Sequence, residues 1–129
     1  MGRIIAAVLS ALLAANALVM LVASRYWYLA VPGVTTTGPY NPHFVHDIGA
    51  TYVVIAAGLG WFAWRPAQGW GALVAGATWL VLHSLIHVHD AILSPTCRHD
   101  LILGLPGVFA PALIAAWIAV ASIPSQGSS

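Results

Sequence analysis

Four apolar runs, each about as long as a membrane-crossing helix, leave this chain few folds to choose from. They span residues of about 4–24, 42–64, 70–89 and 95–123, and a helix needs about 17–25 such residues to cross a bilayer. Backbone polar groups in lipid must pair within their own segment, so helices are the only sensible form for these runs. Composition agrees: 60% of residues are hydrophobic, 5% are charged and none is lysine, whereas soluble domains carry about 25% charged residues. The sequence predicts an all-α fold, an integral membrane four-helix bundle with up-down-up-down topology. It forms one domain over residues 1–124 with a disordered tail at 125–129, and its main partner is the lipid bilayer. A net charge of +1 gives no basic face, which excludes nucleic-acid binding.

Local signals place the ends of the helices. Asn41 suits an N-cap and Pro42 a first helical position, where its missing N–H would be unpaired anyway. Ser94-Pro95 repeats that signal before the fourth run. Tyr26, Trp27 and Tyr28 close the first run, and Trp61, Trp64 and Trp70 bracket the turn after the second, as interfacial aromatics do. The turn 65–69 is short enough to demand an antiparallel hairpin, and residues 31–39 read as an irregular polar loop. Pro106 and Pro111 are expected to bend the fourth helix. Asn16, in the middle of the first run, is expected to bond another helix. Arg3 with the apolar run and Ala14-Ala15-Asn16-Ala17 has the outline of a signal peptide, but the run exceeds the usual 7–15-residue core and is read as an uncleaved anchor.

With four spans, Arg3 and Arg65 share one side and Arg25 and Arg98 the other, so the positive-inside rule ties. The free amino terminus tips the reading towards cytoplasmic termini in a bacterial inner membrane. All acids and all histidines then gather at the other, outward end: Asp47, Asp90 and Asp100 with His43, His46, His83, His87, His89 and His99. Six of these nine form the dipeptides His46-Asp47, His89-Asp90 and His99-Asp100. Two dipeptides share a frame of cap residue, proline, three residues and His-Asp, which fits either an internal duplication or chance.

The third run is the most specific element. His83, His87 and Asp90, spaced i, i+4 and i+7, lie within about 60° on one helical face. Ionisable groups inside a span are costly and normally face a bundle interior or a cavity. Imidazole and carboxylate donors suit zinc, iron, manganese or copper(II), and two histidines one turn apart are a common start for a bundle-core site. The expected first shell is His83, His87 and His46, completed by Asp47, Asp90 or His99, with other carboxylates orienting imidazoles. The bland reading is that His43, His89 and His99 are interface residues, Asp100 caps a helix, and His83 and His87 are merely hydrogen-bonded. The single Cys97 forms no internal disulfide and is more plausibly inert than a ligand. No nucleophile with a positioned base and no phosphate-binding glycine loop stand out, so the sequence leaves open whether the protein is an enzyme.

The four-span layout, the Pro/Gly-rich loop and the stretch His43-Phe44-Val45-His46-Asp47-Ile48-Gly49 resemble the small DoxX-like bacterial membrane proteins. The resemblance implies a redox-associated accessory protein, since named members have electron-transfer or quinone-linked roles, and it assigns no residues. Three functional readings follow: metal handling or a redox-associated role at the His/Asp end, b-type haem held by His46 with His83 or His87, and a metal-free pH-responsive interaction module. A homo-oligomer or a larger membrane complex is compatible with each.

Overall fold

The structure, a computed structural model, describes residues 1–93 and 98–124, and for residues 98–100 the backbone alone. It is all-α. The chain runs through α1 (Gly2–Val22), a short α2 (Ser24–Ala30), a 3-10 turn (Val34–Thr36), α3 (Pro42–Trp64) and α4 (Pro66–Leu93). It continues through α5 (Arg98–Leu103), a π-helical turn (Leu105–Phe109) and α6 (Ala110–Ala121). Among the described residues three helices, α1, α3 and α4, are long and apolar enough to cross a membrane, and 105–121 is a shorter apolar segment. The Ser94-Pro95 cap signal, Cys97 and the tail at 125–129 lie outside the described residues.

The long helices pack as antiparallel neighbours. α1 lies chiefly on α3, α3 on α4 and α4 on α6, while α6 touches α1 only lightly. The fully buried Met20, Leu59, Phe62, Leu73, Leu80 and Ile118 form the middle of the core. Small residues let the backbones approach, as they do where apolar surroundings give helices no hydrophobic drive to associate. A Cβ on Gly49 would stand 3.0 Å from Met20 of α1, and one on Gly58 would stand 3.2 Å from the Ala72 carbonyl of α4. At Gly69 a Cβ would fall 2.6 Å from the Phe62 Cα, inside the partner backbone.

The start of α3 has a local cause. The Asn41 side chain accepts from the backbone N–H of His43 at 3.1 Å and Phe44 at 3.3 Å, with Pro42 as the first helical residue. This is the expected cap, and it starts α3 one turn before His46-Asp47. The hairpin between α3 and α4 is tighter than the predicted turn: only Arg65 separates them, because Pro66 already serves as the first residue of α4. Arg3 donates to the carbonyls of Ala63 (2.9 Å) and Trp64 (3.2 Å), satisfying the C-terminal end of α3. α4 also runs to Leu93, several residues past the expected end.

The aromatic run 26–28 does not end the first helix as a simple belt. At Ala23 the backbone leaves the helical region (φ −141°, ψ 48°), and the chain resumes as α2. Trp27 then donates its indole N–H to Asn16 Oδ1 at 2.8 Å, so Asn16 does bond another helix, the short one that follows its own. Tyr28 donates to the Gly38 carbonyl at 2.8 Å, and Ser24 and Tyr40 share a 2.7 Å hydroxyl contact. Residues 24–40 are thereby stitched over the end of α1, with the 3-10 turn as the one regular piece of the predicted loop. Near Pro106 and Pro111 the last segment departs from α-geometry into the π-helical turn, as the prolines predict. Ser84 of α4 bridges to that turn, donating to Leu80 O (2.9 Å) and Val108 O (3.3 Å).

Candidate functional site

Antiparallel packing brings the start of α3 and the end of α4 to one end of the molecule, so the histidines and acids of these two helices collect there. They do not form one cluster. Among the described residues no three His, Cys, Asp or Glu side chains converge as a metal-ligand group.

His83 and His87 are the pair the fold does build. Both are half-buried in α4, with ring centroids 4.9 Å apart and planes at 78°. His83 stacks on Trp79, centroids 4.9 Å apart and planes at 10°. Trp79 in turn meets the edge of Tyr52, a buried residue of α3, at 5.6 Å and 73°. The column Trp79, His83, His87 runs along α4 at i, i+4 and i+8, with Tyr52 as its buttress from the neighbouring helix. Trp79 and Tyr52 are not among the residues that the sequence singles out. The signal was present, since Trp79 continues the histidine spacing one turn deeper.

Both rings sit on one face of a single helix.

The other predicted ligands are placed less favourably. Asp47 is exposed and pairs with His43 across one turn of α3, Oδ2 to Nε2 at 3.4 Å. Asp90 is exposed and pairs with its neighbour, His89 Nδ1 to Asp90 Oδ1 at 3.3 Å. His46 is exposed on α3. It is nine residues from Ile55, which packs against Gly76 of α4, and nine residues turn a helix by about 180°. His46 therefore points away from α4 and is not brought to His83 and His87. The side chains of His99 and Asp100 lie outside the described residues, although α5, which carries both, packs against α4.

A groove of about 300 Å³ runs between α3 and α4 below this end, lined by Thr51, Ile55, Gly58, Ala72, Gly76 and Trp79 among others. One turn towards the histidine end, α3 carries Asp47 above Thr51 and α4 carries His83 above Trp79. Thr51 donates its hydroxyl back to the Asp47 carbonyl at 2.9 Å, so its proton is engaged within α3. A second groove, of about 370 Å³ between α4 and α6, is almost wholly apolar and lies beside Trp70, whose indole N–H bonds the Ala119 carbonyl at 3.0 Å.

Comparison with protein-family models, with curated proteins and with solved structures finds no match. The chain is thus a small helical protein with three or four apolar helices long enough to cross a membrane, without a family assignment. No family model matches to support the DoxX-like resemblance drawn from the layout and the stretch at 43–49.

Proposed function

We propose that this chain is a multi-pass membrane protein that binds a transition-metal ion at its His/Asp end, with His83 and His87 as the first two ligands. The observation that carries the reading is the half-buried His83–His87 pair, 4.9 Å between centroids, inside a helix apolar enough to span a bilayer. Two imidazoles at that depth are costly without a purpose, and a borderline-soft divalent ion suits them. Asp47, Asp90 and His99 are the candidate donors to complete the shell; His46 faces away, and the proposal does not require it. Residues 105–121 supply a fourth crossing, which completes an up-down-up-down bundle. Cytoplasmic termini then place the metal end on the outer face, in metal handling or a redox-associated accessory role.

Elemental analysis of detergent-purified protein tests this. Near-stoichiometric zinc, iron, manganese or copper is expected in the wild type, and His87→Ala should lose most of it. Sub-stoichiometric metal in both samples at neutral pH would sink the proposal.

The exposed His43–Asp47 and His89–Asp90 pairs favour a second reading, a metal-free, pH-responsive interaction module. A bound partner released on mild acidification, with no metal present, would favour that reading instead.

A further inference from the structure

We infer that Trp79 is a positioning residue for the metal site, holding the His83 imidazole in the plane from which it coordinates. The inference rests on the metal-binding reading above and says which side chain makes the half-site competent. An imidazole offers its lone pair in the plane of the ring, so the direction of coordination is fixed only when that plane is fixed. Rotation about the last side-chain bond of histidine is broad and roughly two-fold, and does not select a plane by itself. Metal-ligating histidines usually solve this with a hydrogen bond from the second ring nitrogen. Among the described residues no hydrogen bond holds the His83 ring.

The indole takes that place. It lies parallel to the imidazole within 10°, at 4.9 Å. Trp79 is itself held: the ring of Tyr52, which is only 5% exposed, abuts it at 73°. Orientation therefore passes from the buried interface of α3 and α4, through Trp79, to His83, and His87 follows one turn on at 78° to its neighbour. Trp79 also forms part of the wall of the groove between the two helices, alongside Thr51, Gly58, Ala72 and Gly76. Removing the indole would free the His83 ring and open the space beneath it.

The test uses the full chain in detergent, with Co²⁺ as probe, because its visible ligand-field bands report the number and geometry of nitrogen donors. Trp79→Leu is expected to weaken Co²⁺ binding about 10–100-fold, the range seen when groups that orient metal ligands are removed. Its spectrum should move to that of His83→Ala while helicity and melting temperature stay near wild type. Trp79→Phe, which keeps a flat ring, should retain the wild-type spectrum. If Trp79→Leu fails to fold, Tyr52→Leu decides, since it loosens the indole without touching either histidine and should show the same spectral shift. Wild-type Co²⁺ affinity in a folded Trp79→Leu or Tyr52→Leu protein overturns the inference and leaves the metal reading standing. Equal loss in Trp79→Phe and Trp79→Leu also overturns it, because plane alone would then not matter. A folded wild type that binds no Co²⁺ removes the metal reading, and this inference with it.

Discussion

Gly69 and Gly71 stand two residues apart in α4 and answer to opposite constraints. Gly69 is buried, and a methyl there would collide with the backbone of Phe62 across the hairpin. A Cβ on Gly71 meets nothing within 4 Å. Gly69→Ala should therefore destabilise the protein by about 1–3 kcal/mol, the usual cost of overpacking. Gly71→Ala should be neutral or stabilising by about 0.5–1 kcal/mol, the gain from removing a mid-helix glycine. Thermal melts of both variants in one detergent check this, and equal melting temperatures would contradict the packing described for the hairpin. Glycines also tell which face of α3 meets α4, a face from which the exposed His46 is turned. Sequence spacing fixes which residues share a face of one helix, but not which face meets a neighbour. Gly58 on α3, with Gly69 and Gly76 on α4, marks the contact faces, and His46 lies well round the helix from that contact.

At the scale of elements, ends signalled by side-chain chemistry were legible, and ends decided by tertiary contact were not. Asn41-Pro42 announced the start of α3, and the structure puts the cap there. Asn41→Ala should cost about 1 kcal/mol and fray the first turn. Faster hydrogen exchange at the amides of His43 and Phe44, with the middle of α3 unchanged, is the expected readout. The four apolar runs were likewise plain, because nothing but helices can bury their backbone groups in lipid. The break at Ala23 was not: no proline or glycine marks it, and what holds α2 in place is the Trp27–Asn16 bond, a contact that depends on the fold-back itself. Pro66 misled in another way, reading as part of a turn when it opens α4. Of the candidate site, the His83–His87 spacing was visible in the sequence, whereas the indole beneath it required knowing that α3 delivers Tyr52 to the same level.

For the molecule as a whole, the arrangement separates two ends. One carries Arg3, held on the last carbonyls of α3, with Arg65 over the Trp64 ring at 4.4 Å. The other carries the stitched segment 24–40 and the His/Asp residues of α3 and α4. If α3 crosses the bilayer as proposed, cysteines placed at exposed Thr37 and Gln68, each with Cys97 replaced by serine, should face opposite compartments. A membrane-impermeant maleimide applied to right-side-out membranes should label only one of them, and labelling Thr37→Cys alone would put the histidine end outside. Labelling of both would break the two-ended arrangement. The length of α4 adds a dependence on the host membrane itself. Its 28 residues make a rod of about 42 Å, against a hydrocarbon core of about 30 Å. If α4 crosses the bilayer as proposed, the surplus must tilt or stand proud of the lipid, and the balance shifts by a few ångströms between membranes of different thickness. On that reading such shifts change how far below the hydrocarbon boundary His83 and His87 lie. In a thicker bilayer they would sink among acyl chains, and in a thinner one they would rise towards water, so lipid composition becomes a setting on how wet the pair is.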